Sequence, residues 1–469
     1  MAGATLPHLD TLPRRVFGIE TEYGIHAAAS ADGRAILDAE TVGREIFQPL
    51  IQSTRATSAF LTNGGRLYLD TGAHPEYATA ECATLTDLLA QDRAGAEILV
   101  QWAADASQVL CAKSGIAVQV HLFKNNLDSA GNSCGCHENY LLYRHSNYRA
   151  VVDALLSFLV SRQIIVGAGA RLDIKGETRF CLSQRAFQIE ETVSRATTEA
   201  RPLVNTRDEP LADAQLYRRL HVIVGDSNVL ETPTWFKVGA MNLLLAALEA
   251  GADFSDLELD SPVAALRDFT ADLSGKAARA RLRDGRVLSS LELQTEFLQR
   301  LQEVFSGAQL DSDSLQVLST WQHYLDCLAK QDWSSLVGVL DWPTKLALLE
   351  KLRNRHEGIL GWGDVRLARI DLAYHDLSAA GLHLDQRGHG IRLTTPAQVT
   401  QARTQPPANT RAALRAHFLK VAARKQLKTQ VDWSHLRLPQ TDIPSVTLED
   451  PFGEARGGID TMLAAMEEM

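Results

Sequence analysis

The chain has 469 residues, 45% of them hydrophobic, which is enough for at least one large core and too long for a single small domain. A formal net charge of -10 with no block of like charge excludes a general nucleic-acid binder, which would carry a basic stripe and a high pI. The most apolar helical stretch, Val238 to Leu248, is about eleven residues long against the ~20 needed to cross a bilayer, and Met1 to Pro13 lacks a basic start followed by an apolar run. A cytoplasmic protein with no membrane partner is therefore expected, and its six scattered cysteines, which form no disulfide framework, suit a reducing compartment.

Residues 1–13 read as a disordered lead. From Arg14 to about His221, short β-type runs alternate with Gly/Asn/Asp turns, as in Val118 to Phe123, Thr178 to Cys181 and Leu220 to Val224. Ala35 to Thr57 reads as one helix with its connections, and Leu85 to Ala106 and Tyr148 to Val160 carry apolar residues at helical spacing. This half is expected to be a mixed layer with helices on one sheet face and the other face free. From Thr234 to His356 helices take over: Val238 to Ala250, Ser289 to Phe305, Ser314 to Leu328 and Trp342 to Arg355, the last capped by Asp341 or Trp342 with Pro343 in its first turn. Ala368 to Tyr374 reads as a strand, Ala379 to Gly390 as turns, and Gln405-Pro406-Pro407 as the opening of a helix, Thr410 to Ala422. The expected division is a catalytic domain at 14–398 and a small C-terminal domain at 399–469, with Met462 to Met469 frayed.

Three segments carry acidic residues on strand-like sequence: Gly18-Ile19-Glu20-Thr21-Glu22-Tyr23-Gly24, Gly65-Arg66-Leu67-Tyr68-Leu69-Asp70, and His74-Pro75-Glu76-Tyr77-Ala78-Thr79-Ala80-Glu81-Cys82. Side chains two apart on a strand share a face, so Glu20 with Glu22, and Tyr68 with Asp70, line one surface. Carboxylates crowded in this way repel unless a cation sits among them, and the hard, oxygen-loving choice is Mg²⁺, which usually arrives with phosphate. Asn63-Gly64-Gly65 forms a hairpin turn into the second segment, leaving Asp70 placed to take a proton from a nucleophile. The polar stretch Lys124 to Tyr140, with His137, Glu138 and Asn139, is the kind of loop in which function concentrates. Arginines follow at Arg185, Arg207, Arg218 and Arg219, with His221 beside the last; an arginine fork suits phosphate and carboxylate oxygens. Cys134 and Cys136 lack the second pair that structural zinc sites need, so zinc is not expected from their spacing. Walker A, dinucleotide, kinase and nucleophile-elbow motifs are all missing. The residues by themselves lead to a metal-dependent enzyme of phosphate or carboxylate chemistry.

Read in order, Gly18 to Gly24, Asn63 to Asp70, His74 to Cys82, Phe123 to Tyr140, Leu182 to Arg185, Asn205 to Pro210, Tyr217 to Asn228 and Asp371 to Asp376 resemble the Pup ligase and depupylase family. That family is a branch of the glutamine-synthetase-like carboxylate–amine ligases. The resemblance implies an α+β fold, in which a large domain with a curved, mostly antiparallel sheet holds ATP and Mg²⁺ on its concave face, helices cover the convex face, and a small C-terminal domain closes over the site. Carried over by motif position, Glu20, Glu22, Tyr68, Glu76 and His137 surround the metal, and Asp70 with Arg207 serves catalysis. Arg185, His221, Arg411 and Trp433 contact ATP.

The implied reaction joins the C-terminal glutamate of Pup, a small ubiquitin-like modifier, to target lysines through a γ-glutamyl-phosphate, marking them for a proteasome; the enzyme is expected to act as a monomer. The alternatives are a depupylase or Pup deamidase, a ligase for a divergent Pup-like modifier, an inactive Pup-binding homologue, or a small-molecule glutamate–amine ligase. Depupylases of the family carry a long insertion between the first acidic strand and the Tyr-x-Asp strand, whereas Glu20 and Asp70 here stand only 50 positions apart, favouring the ligase. The chain departs from the family pattern at Leu211, where histidine is usual, and at Cys134, where ligases usually have tyrosine; its Leu340-Asp341-Trp342-Pro343 run is closer to the depupylase version.

Overall fold

The computed structural model describes residues 9–29, 34, 37–70, 72–128, 131–144, 148–195 and 201–469. The first eight residues of the expected lead, Ala35, and residues 129–130 of the polar loop lie outside the described residues. The remainder of the lead is docked: the Leu9 amide donates to the Val304 carbonyl, and the Gln309 amide to that of Asp10.

The first twelve strands are β1 (Phe17–Glu22), β2 (Gly24–Ala29), β3 (Ser58–Phe60), β4 (Arg66–Leu69), β5 (Pro75–Ala78), β6 (Val118–Phe123), β7 (Cys136–Tyr143), β8 (Ala170–Ile174), β9 (Glu177–Cys181), β10 (Glu191–Ser194), β11 (Pro202–Asn205) and β12 (Tyr217–Val222). Eight of them make the main sheet, in the order β10-β11-β12-β7-β1-β5-β4-β3. Every pairing in it is antiparallel except β10 with β11. Strand β1 at its centre alternates buried Phe17, Ile19 and Thr21 with half-exposed Gly18, Glu20 and Glu22, so the period-2 pattern assigns the carboxylates to one face.

The opposite face joins the main core. Phe17, Ile19, Tyr140 and Leu142 pack in one cluster with the helices Tyr148–Ser161, Glu231–Glu249, Ser290–Val304 and Ser312–Lys330. Each fully buried aliphatic or aromatic side chain there contributes ~1.5–3 kcal/mol relative to exposure. A second cluster lies between the β2/β6 ribbon and the long helix Leu85–Ser114, which starts on the Thr84 side chain accepting from the Asp87 amide and stops at Gly115 with φ 72°. Gly95 lets that helix touch the sheet, since a Cβ there would lie 2.1 Å from the Tyr77 ring. Among the described residues, no helix is long and apolar enough to cross a membrane.

Several expectations are corrected. Residues expected to form one helix before Thr57 make two, Ala39–Ile46 and Gln48–Thr54, because Phe47 departs from helical geometry just ahead of Pro49. Ala368 to Tyr374 is no strand but part of the helix Val365–His375, started by the Asp364 side chain accepting from the Arg366 amide. Its buried Leu367 and Tyr374 stand seven positions apart, a helical repeat that the short Leu-Ala-Tyr run concealed. Leu340, not Asp341 or Trp342, caps the helix Asp341–Arg355; Asp341 turns inward and accepts from Tyr374 Oη at 2.6 Å and Asn228 Nδ2 at 2.9 Å. The last residues form the helix Ile459–Glu468, with Met462, Leu463 and Met466 buried, instead of fraying.

A separate cluster, Leu414 to Met466, includes the helix Ala412–Arg424 and the strands His435–Arg437 and Val446–Thr447. The preceding helix Pro396–Ala402 stays with the large layer, where Ala402 packs on Ala90 and Ala94. Glu81, just past β5, ties the two parts together: Arg411 Nε lies 2.8 Å from its Oε1 and Arg415 Nη2 2.5 Å from its Oε2, with all three side chains largely buried. Burial alone would raise the Glu81 pKa, but Arg415 and Arg411 outweigh it and hold the carboxyl at about 2. Its contribution to stability is therefore complete above the ordinary carboxyl range and disappears as pH falls toward about 2. Glu81→Ala strands two buried guanidinium groups, and the expected loss of stability is ~3–5 kcal/mol, measured by denaturant unfolding at pH 7.

Candidate active site

Neighbouring strands place the acidic segments in register. Tyr68 of β4 stands opposite Glu76 of β5, which stands opposite Glu22 of β1. One row along, Glu20 pairs with His137 of β7, and next to that Asn139 pairs with His221 of β12. The side chains converge accordingly: Asn139 Nδ2 donates to Glu20 Oε1 at 3.1 Å, His137 Nδ1 lies 3.4 Å from Glu20 Oε2, and His221 Nε2 lies 4.0 Å from the same oxygen. Tyr68 Oη donates to Glu76. Donor atoms of Glu20, His137 and His221 lie within 4.8 Å of one another, as do those of Glu22, Asp70 and Glu76. Gly135 makes the space, because a Cβ there would stand 2.5 Å from Glu22 Oε1 and 2.7 Å from His137 Nε2.

This crowding controls protonation. Burial, and then the charges of Glu20 and Glu22, push the Glu76 carboxyl up to about 9, so it keeps a proton at neutral pH. Burial favours a neutral Glu20 as well, but the hydrogen bond from His137, the neighbouring His221 and Arg219 prevail and hold it down to about 2. Burial drives His221 to about 3, leaving a neutral imidazole. Among the described residues, His221 Nε2 and Asn139 Oδ1 are buried without a hydrogen-bond partner, which marks this face as shaped for a ligand.

The other expected residues are divided. Asp70 is exposed just beyond β4, in a turn closed by its amide on the His74 carbonyl at 2.9 Å and by the Ala73 amide on its own carbonyl at 3.0 Å. Arg185 is buried behind Glu22, with Nη1 donating to the Cys134 carbonyl at 2.6 Å; burial lowers its pKa and the Glu22 charge opposes that. Its loop is fixed by Asp226, which accepts from the amides of Gln184 at 2.9 Å and Arg185 at 3.1 Å. Arg207 is not drawn into the cluster, since its exposed guanidinium pairs with Glu209 at 2.7 Å. Glu138, read as a neighbour of the site, belongs to the opposite face, fully buried against Arg162. Arg411 and Trp433 line a small cleft of about 90 Å³, together with Gly18, Glu20, Thr79, Leu211, Arg219 and Pro451. Trp433 meets Phe60 edge-on at 4.9 Å, and Leu211 holds a φ of 53°, unusual for a side chain of its size. Asn139, named in the sequence beside His137, does reach the site, whereas sequence reasoning missed His74, although it continues the period-2 pattern two positions before Glu76.

The family profile described as "Pup-ligase protein" matches residues 15–437. The chain is 43% identical over 458 residues to the Pup–protein ligase of Geodermatophilus obscurus, covering 97% of this chain and 100% of that one. The chain belongs to the Pup-ligase family. A family member from Mycolicibacterium smegmatis, likewise a Pup–protein ligase, is 43% identical over the same coverage. Among solved structures, the complex of Pup with its ligase PafA superposes with a TM-score of 0.90 at 36% identity, over 97% of this chain and 92% of that one. The family's PafA in complex with ADP gives 0.82 at 37% identity, over 93% and 95%.

Proposed function

We propose that this chain is an ATP-dependent ligase that joins the C-terminal glutamate γ-carboxylate of Pup, or a Pup-like modifier, to lysine side chains of target proteins. The observation that carries the reading is the convergence of Glu20, Glu22 and Glu76 on one sheet face, in a chain that matches Pup–protein ligases over 97% of its length. Magnesium suits this donor set: Glu20, Glu22 and Glu76, with Tyr68 and His137, would hold it, and when bound it neutralises phosphate oxygens. The cleft at Trp433 has mostly apolar walls suited to a nucleobase, and Glu20 also lines it, where phosphates would meet the metal surface. The cytoplasm is the compartment for a reaction that consumes ATP.

The chemistry runs in two steps. A carboxylate oxygen of the modifier attacks the γ-phosphorus of ATP, ADP leaves, and a glutamyl-phosphate remains. The lysine nitrogen then attacks the acyl carbon, phosphate leaves with the C–O electron pair, and Asp70 accepts the nitrogen's proton. Exposed at the end of β4, Asp70 is open to a bulky protein substrate in a way that the buried Glu76 is not. Arg207 takes part once it exchanges Glu209 for a substrate oxygen. Among the described residues the connection from β1 to β4 holds β2, two short helices and β3, and Glu20 and Asp70 stand only 50 positions apart, which favours the ligase over a family member with a long insertion. Incubation with ATP, Mg²⁺, a Pup ending in glutamate and a lysine-bearing protein is expected to give a covalent conjugate on a gel. Disappearance of pre-made conjugate would instead identify a depupylase, and absence of both ATP turnover and conjugate would end the proposal.

A further inference from the structure

Cys134, which pairs with no second cysteine in the sequence, finds its partners across the fold. Its Sγ lies 2.9 Å from His74 Nδ1, and that nitrogen lies 3.9 Å from Glu22 Oε2. One donor atom from each of the three residues falls within 4.8 Å of the others. We infer that Cys134, His74 and Glu22 form a binding site for one thiophilic divalent cation of the zinc class.

The three ligands are already held in place. The Cys134 carbonyl accepts from Arg185 at 2.6 Å and from Asn126 Nδ2 at 3.1 Å, the His74 carbonyl closes the Asp70 turn at 2.9 Å, and the Glu22 amide donates to Gly135 at 3.1 Å. With metal–ligand bonds of about 2.0–2.3 Å, tetrahedral donors stand roughly 3.5 Å apart, so the pairs at 2.9 and 3.9 Å need only small shifts. A sulfur, an imidazole nitrogen and a carboxylate oxygen select zinc over magnesium, which prefers oxygen alone. Water fills the fourth position. On binding, the S–H bond breaks, the metal–sulfur bond forms and the proton leaves to solvent. Thiolate and carboxylate together cancel the two positive charges, so the loaded site is neutral beside the Arg185 guanidinium.

The site itself rests on coordination chemistry alone. One consequence rests on the proposed function: a cation here withdraws Glu22 from the row with Glu76, so zinc opposes conjugation.

Cobalt(II) titrated into the metal-free full-length protein provides the test. One equivalent is expected to raise a thiolate-to-cobalt charge-transfer band that zinc removes and excess magnesium leaves. Cys134→Ser and His74→Gln are each expected to abolish the band, with far-UV circular dichroism unchanged. Cys327→Ser is expected to retain it, although Cys327 stands 3.8 Å from His323 Nε2. No band in the wild type, or a band that follows Cys327, would overturn the site. In the conjugation assay, micromolar zinc is expected to inhibit the wild type at a concentration at least about tenfold lower than Cys134→Ser. Equal inhibition of the two would overturn the consequence for conjugation, and a wild type that makes no conjugate without zinc would count against the ligase reading, not the site.

Discussion

Asp70→Asn is expected to lower conjugation by roughly 10²–10⁴-fold, the usual contribution of a positioned base, while ATP still binds. The separation follows from position. Asp70 stands exposed in the turn after β4, whereas the cleft at Trp433 and Arg411 is built from β1, the end of β5, β7 and the C-terminal residues. The amide keeps the shape of the carboxylate and its place in the turn, since that turn is closed through backbone groups. What is lost is the capacity to accept a proton. Single-turnover measurement is expected to show glutamyl-phosphate formation continuing while transfer to lysine stalls; equal loss of both steps would assign Asp70 to the metal surface instead, with Glu22 and Glu76.

Glu76→Gln is expected to reduce conjugation by ~100-fold or more and to remove a pH dependence of stability. The wild-type carboxyl is raised to about 9 by burial and by Glu20 and Glu22. A raised folded-state pKa means that the folded chain holds a proton the unfolded chain has released. In the absence of metal, its stability therefore falls as pH climbs from the ordinary carboxyl range through about 9. Thermal unfolding in EDTA is expected to show the wild type losing more between pH 6 and pH 9 than Glu76→Gln does. Magnesium is expected to recover the loss in the wild type alone, and its apparent affinity to increase with pH as it displaces that proton. Parallel pH profiles for the two proteins would remove Glu76 as the protonated member of the cluster.

The sheet face was legible because strand geometry repeats every second residue. Glu20, Glu22, Tyr68, Glu76 and His137 announced a common surface before any pairing was known, and the register brought them together. What escaped was whatever depends on distant partners. Glu138 sits in the same run as His137, but alternation turns it into the core against Arg162, which lies between two helices and 24 positions away. The pairing of Arg411 Nε with Glu81, at a separation of 330 positions, had no signal in the sequence. Cys134 and Cys136 lack a second cysteine pair in the sequence, whereas the Cys134 thiol faces His74, 60 positions earlier. Val365–His375 was misread for a local reason: few of its residues are buried, so its helical stripe is faint.

The Glu81 clamp has a mechanical consequence. Arg411 and Arg415 fasten the wall bearing Trp433 to the end of the same strand that carries Glu76, through groups too deeply buried to separate cheaply. The cleft proposed for the nucleotide thus has walls fixed to one another through Glu81. In the proposed reaction ADP is expected to leave with both walls standing, and the pace of repeated turnover to be governed by its release more than by any swing of the C-terminal residues.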